Sequence, residues 1–449
     1  MTRVRSPGRM ARPTGLTEET VGPDVATAAS QMRWASAISE RVVIDEAIRD
    51  AAVKVREGLG AAPDFACVFV SSHFVNEYEA VGPLLHKYLA PRALVGTSGA
   101  GVIGDGREAE HRPAVSIIGG ILPGAEARTF HLPPGEIAEL DVSESKWRKR
   151  LGIPPGSSPD FILFANPFDC PADELIEALD QAFPGSKKVG GLASGTNDPT
   201  SICMFEDRGV RRSGAVGVIL TGDVEVDTIV AQGCRPIGTP GKVTKAAGTL
   251  LAEIDGRPSL QNLMELVESL PPDEQRLVRT SLHCGISLES RAHEGEDYRG
   301  ADYIIRNVMG IDRERGALQI GHLLREGVTV QWHVRDAQTA REELERMISE
   351  YVASLRPKLA PGVAPEPWSL ESHGPSASGP CGVLLFSCTG RGTHLFGIEG
   401  HDSGIIRDRL GQVPMGGFFC NGEIGPVGEV TYLHGFTSSI AVLRQKRNG

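Results

Sequence analysis

The chain has 449 residues, of which 40% are apolar and 23% are charged, so it belongs with folded globular proteins and not with disordered or fibrous ones. Its 46 basic and 57 acidic residues give a net charge of −11, which repels phosphate backbones and argues against nucleic-acid binding. The eight cysteines are too few for a disulfide scaffold and form no Cys-x-x-Cys pair, so no metal site is expected.

The N-terminal region carries no sign of membrane insertion. No apolar run in the chain reaches the roughly 20 residues that span a bilayer, and the first residues lack the apolar segment of a signal peptide. We therefore expect a cytoplasmic protein without membrane contact. Residues 1–28 are rich in arginine and proline, which predicts a disordered tail. An organelle-targeting peptide is the alternative for this stretch, although Glu18, Glu19 and Asp24 weaken it.

The first predicted element is a helix. Apolar residues recur at helical spacing from Trp34 to Leu59, and Gly58 and Gly60 supply stop signals. The sequence therefore predicts one amphipathic helix over this range.

An internal repeat follows this helix. A buried strand that begins at Phe65 recurs about 95 positions later at Phe161, and both strands run into polar residues. The Gly-rich turns that begin at Leu94 and Val189 have the same separation. Each copy also contains a predicted helix and a predicted pair of strands. In the first copy the helix is 77–88 and the paired strands are 114–121 and 127–131. In the second copy the helix is 172–183 and the paired strands are 215–220 and 224–230.

The repeat predicts the fold class. We expect an α/β (mixed α+β) protein in which strand-helix-strand-strand-strand units form packed mixed sheets with outer helices, in αββα-like layers. A weaker third copy begins at Val383 and continues through a short helix, His401 to Leu410. The predicted organisation is a tail at 1–28, an N-terminal domain at 29–255 and a C-terminal domain at 256–449. Helices are also predicted at 260–270 and 337–355, and a flexible, proline-rich insertion at 360–380.

Two Gly-rich turns imitate known catalytic or cofactor motifs. Gly99 to Gly104 matches the dinucleotide fingerprint, but the helix that should hold the pyrophosphate does not follow. We interpret this stretch as a tight turn and expect no cofactor. Ser98 and Ser194 lie in turns similar to a nucleophile elbow, yet neither has the full motif. No catalytic residue is assigned.

Two charged residues near the C-terminus are better candidates. Arg391 lies close to Cys388, where a guanidinium could lower the pKa of the thiol and make it nucleophilic; the alternative is a buried, inert cysteine. Glu423 is embedded in an apolar, Gly-rich stretch, where an unpaired carboxylate would be costly to bury. It should be paired or face a ligand.

The same C-terminal region carries a resemblance to a known family. The segments Gly416–Pro426 and Leu433–Ile440, together with Ser387–Gly392, resemble the C-terminal motifs of the FIST family, named for F-box and intracellular signal transduction proteins. Two Gly-rich turns, Gly96–Gly99 and Gly190–Gly195, are similar to its N-terminal half. The resemblance covers roughly residues 35 to 445. It implies a sensory module for small ligands, such as amino acids or their derivatives.

The residues themselves also indicate a place for a ligand. Polar residues end the first strand of each copy, and ligands of α/β folds gather outside the carboxyl ends of strands, so these segments should converge on one pocket. Arg391 would hold a carboxylate bidentately, and Glu423 an amino group. The alternative is an internal Arg391–Glu423 salt bridge that only ties two strands together. The predicted ligand-binding residues are Gly96, Ser98, Gly191, Ser194, Cys388, Arg391, Asn421, Glu423 and His434.

Two classes of function remain at this stage. The first is a small-molecule-binding sensory module of intracellular signal transduction, whose ligand is an amino acid or a related small carboxylate and whose output passes to a separate signalling partner. The alternative is an enzyme that uses Cys388 or a pocket carboxylate. The absence of a complete catalytic motif favours the sensor.

Overall fold

The structure is a computed structural model that describes residues 1–2, 31–139, 142–288, 303–355 and 381–446. The predicted disordered tail, apart from its first two residues, and the predicted insertion at 360–380 lie outside the described residues.

The first repeat forms most of one mixed sheet. Strand β2 runs parallel to β3, while β6 lies antiparallel to β2 and β1 antiparallel to β6. Its elements are β1 (Arg33–Ser39), α1 (Ile44–Leu59), β2 (Phe65–Ser71), α2 (Tyr78–Tyr88), β3 (Ala93–Gly99), the hairpin β4 (Gly101–Gly104) and β5 (Arg107–Glu110), and β6 (Val115–Ile121).

The predicted helix from Trp34 to Leu59 is wrong in its first third. Residues 33–39 form β1, and the helix begins only at Ile44. The ring of Trp34 packs edge-on against Phe65, with 6.0 Å between the centroids. Pairing with β6 buries most of this segment, so the tertiary contact overrides the apparent helical spacing.

The second repeat has the same order. Its strands β7, β12, β8 and β9 align as β1, β6, β2 and β3 do in the first sheet. Its elements are β7 (Ala125–Leu132), α3 (Pro134–Glu139), α4 (Glu144–Leu151), β8 (Asp160–Ala165), α5 (Ala172–Ala182), β9 (Lys188–Leu192), the hairpin β10 (Met204–Glu206) and β11 (Gly209–Arg211), and β12 (Ala215–Gly222).

The third repeat starts with β13 (Val224–Ala231) and is interrupted by a separate seven-stranded sheet, here called the inserted sheet. The inserted sheet and its helices comprise β14 (Arg235–Ala247), β15 (Leu250–Ile254), β16 (Arg257–Pro258), α6 (Ser259–Ser269), α7 (Pro272–Ser281), β17 (Leu282–Ser287), β18 (Tyr303–Asp312), β19 (Ala317–Ile320) and β20 (Thr329–Val334).

The third repeat then resumes. Its strands β13, β25, β21 and β22 repeat the arrangement of the first two sheets, with β21 parallel to β22. The resumed elements are α8 (Ala337–Leu355), β21 (Gly382–Cys388), α9 (Gly392–Phe396), α10 (His401–Leu410), β22 (Met415–Cys420), the hairpin β23 (Glu423–Val427) and β24 (Val430–His434), and β25 (Ser438–Gln445).

Each repeat places its hairpin on the sheet of another repeat. The hairpin β4–β5 pairs with β22, β10–β11 pairs with β3, and β23–β24 pairs with β9. Every six-stranded sheet therefore holds four strands of one repeat and two of the next. The exchange is cyclic, so the three repeats close around a common axis.

The predicted strand pairs within each repeat are wrong. Strand β6 does not pair with β7, and β12 does not pair with β13; β7 pairs with β12, and β13 pairs with β25. The chain changes sheets at these two short connections, which look like hairpin turns in the sequence.

One apolar core fills the space between the three sheets. The rings of Phe69, Phe164 and Phe386, at matching positions of β2, β8 and β21, have centroids 5.6, 5.8 and 6.5 Å apart. All three side chains are fully buried. Helices pack on the outer faces, which confirms the predicted mixed α+β class of packed mixed sheets. No helix among the described residues has the length and apolar character needed to cross a membrane.

Candidate functional site

The three Gly-rich turns that follow β3, β9 and β22 meet near the axis of the repeats. The Ser194 hydroxyl accepts a hydrogen bond from the backbone N–H of Ala100 (2.9 Å) and donates one to the carbonyl oxygen of Phe419. The Ser98 hydroxyl lies 3.3 Å from the carbonyl oxygen of Ser194. Ser98 and Ser194, two predicted site residues, thus join the repeats to one another.

A cavity of about 440 Å³ opens beside these turns. All three repeats contribute to its wall, at the carboxyl ends of their strands, as expected for ligand sites in folds of this kind. The lining residues are Ser72, His73, Ala100, His111, Gly195, Thr196, Asn197, Thr389 and Asn421. We call this the axial cavity.

The structure brings some of the predicted site residues to this cavity and not others. Asn421 lines it, and Ser194 directly precedes the lining residue Gly195. Gly96 and Gly191 lie in the strands that support the turns. Arg391, Glu423, Cys388 and His434 are buried and are not among the lining residues, although Cys388 directly precedes the lining residue Thr389.

Arg391 is fully buried and is paired within the protein. Its Nε and Nη2 atoms donate to the two carboxylate oxygens of Asp402, at 2.7 and 2.9 Å. Asp402 also accepts a hydrogen bond from the Ser387 hydroxyl (3.0 Å), and one of its oxygens lies 2.8 Å from Nδ1 of His401. Although burial opposes it, this environment holds the pKa of Asp402 well below its usual range. The salt bridge of Arg391 is therefore with Asp402 and not with Glu423, which was the alternative to a ligand carboxylate.

Glu423 lies in a different environment beside Cys388. Its side chain is fully buried, and one carboxyl oxygen accepts the backbone N–H of Thr437 at 3.1 Å. Burial raises the pKa of Glu423 to about 8. Burial, together with the neighbouring Glu423, raises the pKa of the Cys388 thiol to about 12, so the thiol stays protonated at neutral pH. Arg391 does not activate it.

The position of Glu423 is exceptional among the three repeats. The register places Glu423 opposite Gly191, Val102 opposite Phe418 and Met204 opposite Thr97, which are matching positions of the three exchanged hairpins. Two repeats thus hold an apolar side chain where the third holds a carboxyl group. A buried carboxyl group at an otherwise apolar position is typical of a functional site.

His434 faces Glu423 across the hairpin β23–β24. Its Nε2 atom lies 2.9 Å from the carbonyl oxygen of Gly425. Burial lowers the pKa of His434 to about 4, so the imidazole is neutral at physiological pH.

The raised pKa of Glu423 predicts a pH-dependent stability difference. Below pH 4.5 the carboxyl group is protonated in both the folded and the unfolded protein. Between about pH 4.5 and 8 only the folded protein keeps this proton, so rising pH destabilises the wild type. Glu423→Gln lacks this penalty. Its unfolding free energy relative to wild type should rise across this window by about 1.4 kcal/mol per pH unit, as measured by urea unfolding.

The same substitution at an exposed glutamate provides the control. Glu350 is exposed on α8 and pairs with Arg346; Glu350→Gln should change stability by less than about 1 kcal/mol at any pH in this range. A Glu423→Gln difference that stays constant with pH would contradict the assignment.

Several residues at this site were not predicted from the sequence. His111, Thr196 and Asn197 line the axial cavity, and Arg335 lies beside Cys388 and Glu423. His111 has a positive φ of 54°, which no local sequence signal indicates. In the described part of the chain, no three His, Cys, Asp or Glu side chains are grouped so that they could hold a metal ion.

Comparison with known proteins identifies matches over most of the chain. The FIST N domain model matches residues 64–257, and the FIST C domain model matches residues 260–426. The uncharacterised protein Rv0628c of Mycobacterium tuberculosis is 35% identical over 412 residues, which cover 92% of this chain and 99% of that protein. The uncharacterised protein Mb0898c of Mycobacterium bovis is 35% identical over 398 residues, which cover 88% of this chain and 95% of that protein.

Proposed function

The chain belongs to the FIST family, and on that premise we propose that it is a sensory module that binds a small carboxylate in the axial cavity. FIST domains are linked to sensing in signal transduction. The observation that carries the proposal is that one cavity is lined by all three repeats. A ligand there would contact three sheets at once and could change how they pack, which is what a sensor requires.

The chemistry of the lining favours a carboxylate. Imidazole, hydroxyl and amide groups surround the cavity, among them His73, Thr389 and Asn421, and each can donate a hydrogen bond. The described residues that line it include no carboxylate, so an anion meets no like charge. The predicted role of Glu423 toward an amino group finds no support here, because Glu423 is not among the lining residues. An amino acid therefore remains one member of a wider class of small carboxylates.

An enzyme that uses Cys388 has less support. The thiol is buried and its pKa is raised to about 12, whereas nucleophilic cysteines have a lowered pKa. We further propose that the module acts in the cytoplasm through a separate signalling partner.

A thermal-shift screen tests this function. The panel consists of amino acids and small mono- and dicarboxylates at constant ionic strength, with uncharged amides of the same size for comparison. A ligand present at 100 times its Kd should stabilise the protein by about 2.7 kcal/mol. The proposal fails if no carboxylate in the panel gives a saturable shift.

Two threonine variants test whether the ligand that gives the thermal shift binds in the axial cavity. Thr389→Ala removes a hydroxyl group from the cavity wall and should weaken binding about tenfold, because one hydrogen bond to an anion is worth about 1.5 kcal/mol. Thr280→Ala, at an exposed site on α7, should leave the affinity unchanged. Equal affinities in the two variants would place the ligand elsewhere.

A further inference from the structure

Arg335 is a buried guanidinium at the end of the inserted sheet, next to the core of repeats. It directly follows β20, and its backbone N–H is held by the Ser281 hydroxyl at 2.9 Å. Its side chain is only 7% exposed. Nevertheless its Nε and Nη2 atoms have no hydrogen-bond partner, and no salt bridge to it forms among the described residues. Leaving such a group unpaired is costly.

The unpaired atoms form the edge of the guanidinium that binds carboxylates. In Arg391 the same two atoms, Nε and Nη2, hold both oxygens of Asp402. Two parallel N–H donors on this edge match the spacing of a carboxylate. The two arginines thus differ in one respect: the carboxylate edge of Arg391 is filled and that of Arg335 is not.

The surroundings of Arg335 fix its position. The guanidinium lies over the ring of Phe436, 5.0 Å from the centroid, and the other neighbour of this ring is His283, at 4.3 Å. Phe436 has a positive φ of 66°, an uncommon conformation for a bulky residue. At Gly390 a β-carbon would lie 3.1 Å from Nη1 of Arg335, so a side chain there would crowd the guanidinium.

The second polar group at this place is Glu423. One of its carboxyl oxygens, Oε1, has no hydrogen-bond partner, and its charge interacts with that of Arg335. Because its pKa is raised to about 8, the carboxyl group is mostly protonated at pH 7. It can then donate a hydrogen bond and carries no charge that would repel an anion.

We propose that Arg335 and Glu423 form a second ligand site, between the inserted sheet and the core of repeats, that takes a small monocarboxylate. Arg335 binds both oxygens of the carboxylate, and the protonated Glu423 donates to one of them. The charges match a monoanion: Arg391 is neutralised by Asp402, which leaves the single positive charge of Arg335. A dianion such as phosphate would keep an unpaired negative charge in a buried place. This site goes beyond the proposed function and does not depend on the axial cavity.

Sodium acetate is the probe, with sodium chloride at equal ionic strength as the reference. At pH 7 acetate should raise the melting temperature of the full chain in a saturable manner, and Arg335→Gln should weaken the apparent affinity at least tenfold. Arg335→Lys keeps the charge but lacks the paired donors, and it should also lose most of the response. Arg346→Gln, an exposed arginine on α8, should respond as the wild type does.

The pH dependence gives a second measurement that does not require an arginine variant to fold. The groups that face Glu423 are Arg335, Arg391, Cys388, Cys420, the backbone N–H of Thr437 and, across the hairpin, His434. Between pH 6 and 9 the arginines stay charged. Burial raises the pKa of both thiols and lowers the pKa of His434 to about 4, so none of these three groups changes its charge in this range. Acetate affinity should therefore fall as the pH rises through about 8 in the wild type. In Glu423→Gln it should stay constant.

Four outcomes would overturn the inference. The first is a wild type that responds to acetate no more than to chloride. The second is an Arg335→Gln protein that binds acetate normally. The third is a response lost in Asn421→Ala, at the axial cavity, but retained in Arg335→Gln, which would place acetate in the cavity. Equal saturable responses to phosphate and acetate would show a general anion site and would also contradict the monocarboxylate assignment.

Discussion

Replacement of Arg391 by alanine is expected to lower the free energy of unfolding by roughly 3–5 kcal/mol, because it leaves the buried Asp402 without its counter-charge. Both groups are almost fully buried, at 0% and 2% side-chain exposure. The contacts of Asp402 with Ser387 and His401 would remain, but the two parallel donors of the guanidinium would be lost. Chemical denaturation of the purified variant measures the loss.

Two further variants separate the charge effect from lost packing. In Arg391→Met with Asp402→Asn, both charges are absent, so the loss should be smaller than in Arg391→Ala. Arg346→Ala breaks the exposed pair with Glu350 and should cost less than about 1 kcal/mol. If Arg391→Ala costs no more than this surface variant, the pair with Asp402 is not what holds α10 against β21.

Replacement of Gly190 by alanine is expected to destabilise the protein by more than about 3 kcal/mol or to prevent folding. A β-carbon at Gly190 would lie 1.8 Å from the carbonyl oxygen of Leu163, and its φ of 149° disfavours a side chain. The clash is with backbone of the adjacent parallel strand, so no side-chain rotation can relieve it. Unfolding in urea, or the yield of soluble protein, reports the effect.

The other two repeats provide independent tests of the same contact. At Gly96 the β-carbon would lie 2.0 Å from the Val68 carbonyl oxygen, and at Gly417 1.9 Å from that of Leu385. Alanine at either position should be similarly harmful. Gly404 lies within α10, where a β-carbon meets no atom within 4 Å; Gly404→Ala should stabilise by about 0.5–1 kcal/mol. A well-folded Gly190→Ala protein would contradict the close approach of β8 and β9.

The three glycines also show why the repeat was visible in the sequence. Parallel strands that approach so closely exclude a β-carbon at one fixed position, and this requirement recurs in each copy. The buried strands that begin near Phe65, Phe161 and Val383 are apolar on both faces because they lie between the core and the outer helices. Local patterns of this kind depend on burial alone, so periodicity predicted them.

The residues that the sequence did not place are those whose partners come from distant parts of the chain. From the sequence, Arg391 was expected to bind a ligand carboxylate or to pair with Glu423, and its pairing with Asp402 was not foreseen. Arg335 was not identified at all, because it follows an ordinary strand of the inserted sheet and becomes unusual only through burial beside Glu423.

The mixed α+β class, the first buried strand of each repeat, the helices at 78–88, 172–182 and 401–410, and the resemblance to the family were predicted from the sequence alone. Strand β1, which was predicted as helix, and the hairpins β4–β5 and β10–β11, the first of which begins in the stretch interpreted as a tight turn, were not. Only the tertiary structure decided how the strands are shared: that β4–β5, β10–β11 and β23–β24 each leave their own repeat for another sheet, and that three turns converge on one cavity. The physical reason is that alternation of apolar residues reports which face of a strand is buried, whereas the partner strand is chosen by the summed packing of segments hundreds of residues apart.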